Sequence, residues 1–169
     1  MIVRVLALVG GLTGAAGLSQ FPEYSQQYMQ RLGGAVDELH RSVDRLESDA
    51  ARVGLTPEGY LTALGGEGDL AARQAGNLRA DLARYRQLSA DLRALEGAGP
   101  FMRAKLATHL GDRQIAARAF EAYKPAMPIT FEGAVFAGTG FLAGWLALAL
   151  VVSLLRGCLR TVVRSPRRA

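Results

Sequence analysis

Two long apolar runs lie near the ends of the chain, and a longer amphipathic stretch separates them. The second run, from Gly133 to Leu155, contains no charged residue. As an α-helix it would be roughly 34 Å long, which is enough to cross a hydrocarbon core of about 30 Å. The pattern therefore predicts a transmembrane helix within residues 129–156.

The first run covers residues 1–19 and allows two interpretations. A basic residue, a short apolar run and small residues before Ser19 are typical of a secretory signal peptide. The segment from Val5 to Leu18, however, contains no helix breaker other than glycine, which membrane helices tolerate. We therefore expect a retained transmembrane anchor, with a cleaved signal peptide as the alternative.

Between the two runs, apolar residues recur at alternating steps of three and four, which is the spacing of a coiled-coil stripe. The pattern predicts a helix over residues 22–53 with one apolar face. Packing against the next helix of the same chain and pairing with a second chain are both compatible with this face. We call it the Val/Leu stripe; its central positions are Leu32, Val36, Leu39, Val43 and Leu46, extended by Met29, Ala50 and Val53.

Further helices are predicted before the second apolar run. Thr56 and Pro57 are typical of a helix start, and the glycines of GGEGD end that short helix. A long helix follows over residues 69–96, with apolar positions from Leu70 to Leu95, and a third region covers residues 101–123, where Asp112 can cap a restart. The expected fold is an all-α membrane protein, in which two transmembrane helices flank an antiparallel helical hairpin or bundle within residues 20–128.

The arginines near the chain ends predict how the protein crosses the membrane. Residues 19–128 contain fourteen basic and fourteen acidic side chains, so the net charge of +5 comes from the flanking segments. Basic residues beside membrane helices are retained in the cytoplasm, whereas a long connection can be translocated. We expect both termini in the cytoplasm, the central domain in the periplasm and residues 157–169 as a basic tail. The charges expected at the membrane interface are Arg4, Glu132, Arg156, Arg160 and Arg164.

Small residues four positions apart occur in both apolar runs. Gly10 with Gly14, and Gly140 with Gly144, have the GxxxG spacing that lets two helix backbones approach closely in a membrane. Trp145 falls near the middle of the predicted span, although tryptophan ordinarily prefers the membrane interface. We expect these residues to form transmembrane packing surfaces, with a protein neighbour for the indole ring.

No arrangement typical of an active site or a metal centre is found in the sequence. His40 and His109 fall in different predicted helices and lack the neighbouring ligands that a zinc site needs. The glycines of GGEGD lack the other parts of a phosphate-binding loop, and the single thiol, Cys158, excludes an intrachain disulfide. The basic residues flank apolar runs instead of forming a stripe on a folded domain. We expect no enzymatic activity, cofactor, nucleic acid or small-molecule substrate.

Two segments resemble a known family. GLSQFPEYSQQYMQRLGGAVDEL, which starts at Gly17, and TFEGAVFAGTGFLAGW, which starts at Thr130, are similar to the two ends of the proteobacterial family described as domain of unknown function 2937. The resemblance extends over nearly the whole chain and is most specific in these segments. It implies a bacterial inner-membrane protein, and it supplies no activity or site residues.

The expected function is that of an accessory or scaffold subunit of an inner-membrane complex, for example a respiratory or photosynthetic assembly. The expected partners are membrane lipid and other integral membrane proteins, or a second copy of the chain. The alternative is a homodimeric regulatory or signal-transducing membrane protein that pairs through the Val/Leu stripe. A short basic tail makes a poor output domain, which favours the first interpretation.

Overall fold

Helices account for the regular secondary structure of the chain in the ranges that can be described. The structure is a computed structural model that describes residues 2–123 and 130–163. Neither described range contains a strand, so the all-helical part of the predicted fold is confirmed. The α-helices are α1 Ile2–Leu18, α2 Phe21–Arg52, α3 Pro57–Gly65, α4 Asp69–Leu95, α5 Pro100–Lys105, α6 Arg113–Ala122 and α7 Phe131–Val163, and a 3₁₀ helix covers Ala107–Leu110.

The chain divides into two compact units. The apolar unit combines α1, the first turn of α2 and α7, within residues 2–24 and 130–163. The helical unit extends from Ser25 to Tyr123 and contains the rest of α2 with α3 to α6.

Among the residues that the structure describes, two helices are long and apolar enough to cross a membrane. One lies within Val3–Arg52, near the N-terminus, and the other within Phe131–Arg156. Helix α7 begins after Thr130, whose hydroxyl oxygen accepts a hydrogen bond from Gly133 N at 3.1 Å. It ends at Val163 and therefore continues into the predicted basic tail, past residue 156. Arginine is a good helix former, and cationic side chains stabilise the C-terminal end of a helix.

One core cluster of the helical unit lies where α2, α3 and α4 meet. Val43 and Leu46 of α2, Leu61 of α3, and Ala75 and Leu82 of α4 form one cluster of buried side chains. Val43 and Leu46 are three positions apart, and Ala75 and Leu82 are seven positions apart, so each pair lies on one face of its helix. The cluster therefore ties the two long helices together through the short one.

Side-chain contacts give the relative direction of α2 and α4. His40 contacts Tyr85, whereas Asp49, nearer the end of α2, lines the same groove as Gln74, nearer the start of α4. The two helices therefore run antiparallel within the helical unit.

The reversal between α2 and α4 uses local backbone chemistry. Gly54 has a φ of 71°, a conformation that favours glycine, and it lies two residues after Arg52, the last residue of α2. The Thr56 hydroxyl then accepts a hydrogen bond from Gly59 N at 3.1 Å and caps α3, with Pro57 in the first turn. The structure thus places a helix start at the predicted position.

Leu70 departs from the predicted apolar face of the second long helix. Its side chain is 84% exposed, whereas Ala75 is fully buried. Five residues separate them, which is roughly 140° around a helix. The spacing of the later leucines therefore does not extend back to the first turn of α4.

We expect Leu61→Ala to lower the free energy of unfolding by about 2–5 kcal/mol, because it leaves a cavity in the shared core. Leu70→Ala removes the same atoms from an exposed position and should change it by less than about 0.5 kcal/mol. Chemical denaturation of the full chain in mild detergent, followed by circular dichroism, measures both. Equal effects of the two substitutions would contradict this description of the core.

Candidate functional site

Four glycines bring the backbones of α1 and α7 into direct contact. A Cβ atom added to Gly14 would lie 2.9 Å from the carbonyl carbon of Gly140, and one added to Gly10 would lie 2.7 Å from the carbonyl oxygen of Gly144. Any larger residue at these positions would collide with the opposite backbone. Because Gly10 faces Gly144 and Gly14 faces Gly140, the two helices run antiparallel.

Larger side chains pack beside this glycine contact. The ring of Phe141 covers Gly11, where an added Cβ atom would meet the ring at 2.7 Å. Ala7 is only 2% exposed, and the rings of Phe21 and Phe136 lie 5.2 Å apart between centroids. Close packing of this kind is the main source of attraction between helices where lipid removes the hydrophobic driving force.

Trp145 follows the glycine contact in sequence but remains 42% exposed. The neighbouring side chains of Leu142 and Leu146 are also exposed. Within residues 2–123 and 130–163, no hydrogen-bond partner is found for the indole N–H of Trp145. The protein neighbour that the sequence predicts for this ring stays a prediction.

The predicted interface charges occupy the apolar unit. Arg4 lies in the first turn of α1 and Arg156 near the end of α7, and both are exposed. Glu132 lies in the first turn of α7 and is half-buried. Arg160 also belongs to α7, whereas Arg164 lies outside the described residues. Because α1 and α7 are antiparallel, Arg4 and Arg156 lie toward the same end of the pair.

Most of the Val/Leu stripe is buried within the chain. Leu39 is half-buried because it lines an open groove. The extension of the stripe to Val53 is wrong, since α2 ends at Arg52 and Val53 is 60% exposed. The buried central positions are Leu32, Val36, Val43 and Leu46.

Tyr28, Arg84 and Asp112 form a polar centre that joins α2, α4 and the start of α6. The carboxylate of Asp112 caps α6 by accepting a hydrogen bond from Ile115 N at 3.0 Å. It also accepts a hydrogen bond from one terminal nitrogen of Arg84 at 3.2 Å, and the other terminal nitrogen lies 3.0 Å from its second oxygen in the same ion pair. The backbone N–H of Asp112 donates to the hydroxyl of the fully buried Tyr28 at 3.1 Å. The cap was predicted from the sequence, but its two distant partners were not.

The polar centre keeps Asp112 ionised. Burial alone would raise the pKa of this carboxyl group, but the hydrogen bonds from Ile115 N and Arg84 outweigh burial and lower the pKa below 3.8. The side chain of Asp112 is 9% exposed. A largely buried carboxylate with these hydrogen bonds has a structural role in holding three helices together.

The two histidines have structural partners. His109 Nδ1 lies 2.7 Å from a carboxylate oxygen of Asp91 and links the 3₁₀ helix to α4. The ring of His40 stacks on Tyr85 with centroids 5.5 Å apart. No group of three or more His, Cys, Asp and Glu side chains suited to a metal ion occurs in the described ranges.

A groove of about 440 Å³ lies between α2, α4 and α6 in the helical unit. Its charged lining consists of Arg31, Arg84, Arg118, Glu38 and Asp81. Two of these groups are already paired, Arg84 with Asp112 and Glu38 with Arg41. The remaining charges are of both signs, so the groove has no clear preference for one class of ligand.

The fold and these contacts define a class: over residues 2–123 and 130–163 the regular structure is helical, and two of the helices there are long and apolar enough to cross a membrane. The chain belongs to the family described as Protein of unknown function (DUF2937), whose model matches residues 2–161. The resemblance seen in the two end segments is thereby confirmed. No curated protein and no solved structure is significantly similar to the chain.

We expect Gly14→Leu to lower the stability of the apolar unit by about 1–3 kcal/mol or more, because the new side chain would overlap the backbone of α7. Gly17→Leu is the matched control, since a Cβ atom there meets nothing within 4 Å. Thermal unfolding of the full chain in mild detergent compares the two. If Gly17→Leu were as disruptive as Gly14→Leu, the glycine contact would not be the reason.

Asp112→Asn should cost about 1–2 kcal/mol at neutral pH, because the amide retains a cap acceptor but loses the charge that pairs with Arg84. Since the pKa of Asp112 is lowered in the folded state, its contribution is present above the ordinary value of 3.8 and is lost as the pH falls through the folded pKa. The stability difference between wild type and Asp112→Asn should therefore shrink below about pH 4. Melting curves of both proteins at several pH values measure this difference, and Glu121→Gln, at an exposed position, is the control. A stability difference that did not change with pH would contradict the ion pair.

Proposed function

We propose that this chain is a non-enzymatic accessory or scaffold subunit of a bacterial inner-membrane complex. In this proposal α1 and α7 form the membrane anchor, and the helical unit lies in the periplasm. The observation that carries the proposal is that the glycines of α1 and α7 face each other, whereas Trp145 is exposed. The glycine faces of α1 and α7 pack against each other and are therefore covered within the chain. The exposed side of α7 around Trp145 is the surface that remains available to a partner.

The direction of the two anchor helices supports the proposed topology. An antiparallel pair returns the chain to the side from which it started. Arg4 and Arg156 then lie at the same end, as expected when basic residues on both flanks are retained in the cytoplasm. Glu132 lies at the other end, where a half-buried carboxylate at a helix start can reach interfacial water.

Trp145 supports a protein partner within the membrane. It lies fourteen residues after Phe131, the first residue of α7, which is roughly 21 Å along the helix. An indole N–H at that depth has neither water nor headgroup oxygens nearby, so a neighbouring helix with an acceptor would satisfy it. The exposed side of α7 thus docks against the partner protein, and the glycine faces hold α1 and α7 together.

The homodimeric regulatory alternative receives less support. It needs the Val/Leu stripe as its pairing surface, and the central positions Leu32, Val43 and Leu46 are buried within this chain. A dimer through these residues would first have to open the helical unit, at the expense of the core that Val43 and Leu46 share with α3 and α4.

A photo-reactive benzoylphenylalanine at position 145 tests the proposal in native membranes. We expect it to crosslink one defined membrane protein, and the purified chain to migrate with that protein well above its own 18.0 kDa on native gels. The matched control is the same residue in place of Leu154, which is exposed but about two and a half turns further along and thus on the opposite side of α7.

The contrast between positions 145 and 154 decides the outcome. A free monomer on native gels, with crosslinks at position 145 only to lipid, would contradict a docked subunit. A crosslink at position 145 to a second copy of the chain would instead support a homodimer through α7.

A further inference from the structure

Helix α5 exposes apolar side chains beside basic ones. Phe101 and Met102 are 46% and 49% exposed, and Lys105 at the end of the helix is also exposed. Phe101 and Met102 are adjacent in sequence and lie within about one turn of Lys105. Apolar side chains flanked by lysine are typical of helices that lie in the interfacial layer of a membrane.

A hydrogen bond fixes α5 beside the start of α2. Arg103 donates to the side-chain oxygen of Gln26 at 2.8 Å. Gln26 lies eight residues after Leu18, the last residue of α1. Residues 19–20 form a turn and the chain is helical again from Phe21, so these eight residues extend at most roughly 20 Å. The headgroup layer of a bilayer is about 5–7 Å thick on each side. If α1 is anchored in a membrane, α5 therefore lies within reach of that membrane's surface.

We propose that α5 binds the phospholipid surface of the bilayer that holds α1 and α7. The side chains of Phe101 and Met102 enter the boundary between headgroups and acyl chains, and Lys105 contacts anionic headgroup phosphates. This inference rests on the proposed membrane anchoring. It adds a second attachment, which restrains the start of the helical unit at the surface.

Leu70 offers a matched contrast within the same unit. It is 84% exposed, more than either apolar residue of α5, but Asp69 precedes it. It lies near the start of α4, where Gln74 lines a groove with Asp49. Asp49 is twenty-three residues beyond Gln26 on α2, or roughly 35 Å along the helix. Exposure alone would make Leu70 the better membrane contact, whereas the placement of α5 predicts the reverse.

Tryptophan fluorescence in lipid vesicles tests the inference. The full chain carries Trp145→Phe and either Met102→Trp or Leu70→Trp, in vesicles of phosphatidylcholine and phosphatidylglycerol with bromine on the acyl chains near the headgroup. We expect emission from position 102 to shift to shorter wavelength and to fall at least about twofold with brominated lipid, and emission from position 70 to stay that of a solvated indole. Lys105→Glu should weaken quenching at position 102 when phosphatidylglycerol is present.

The wild-type chain separates failure of this inference from failure of the anchoring. Its single tryptophan, Trp145, lies in α7 and reports on insertion of that helix. Quenching of Trp145 without quenching at position 102 would overturn the surface contact and leave the anchor intact. Absence of quenching at both positions would overturn both proposals, and equal quenching at positions 70 and 102 would show that exposure alone governs contact with lipid. Circular dichroism of each variant checks that the helices have formed.

Discussion

Backbone contact between α1 and α7 is the constraint on which the arrangement of the apolar unit depends. Two helices can approach this closely only where neither carries a side chain, and Gly10, Gly14, Gly140 and Gly144 supply that gap on both sides. The contact fixes three properties at once: the distance between the helices, their antiparallel direction and the faces that point outward. Everything proposed about docking follows from which faces remain.

The helical unit is held together by a different balance of forces. Its shared apolar cluster packs α2, α3 and α4 together, while Asp112 ties α2, α4 and α6 through directional hydrogen bonds. Burying a carboxylate is costly unless it is paired, and here a bidentate arginine and a helix N-terminus both pair it. The charges of Asp112 and Arg84 thus have a structural explanation within the helical unit.

Local signals in the sequence predicted much of this fold. The heptad spacing gave residues 22–53 for the helix observed at Phe21–Arg52, because amphipathic periodicity is a property of neighbouring residues. The caps at Thr56 and Asp112 follow from the same short-range chemistry. The prediction that Leu70 lies on the apolar face of α4 was wrong, because an apolar residue in the first turn of a helix need not face the core.

Long-range contacts could not be derived in the same way. The spacing of the glycines indicated a packing surface, but not that Gly14 would face Gly140 instead of another protein. Tyr28 lies four residues before Leu32, so its burial was predictable from the stripe, whereas its hydrogen bond to Asp112 joins residues 84 positions apart.

The most direct measurement of the glycine contact is disulfide formation in native membranes by a chain carrying Cys158→Ser, Gly11→Cys and Phe141→Cys. The structure predicts a rapid disulfide within one chain, with both thiols protected from maleimide and the mass still 18.0 kDa, and none when Gly17→Cys replaces Gly11→Cys. Two thiols that stay reactive, or a crosslinked product of twice that mass, would contradict it.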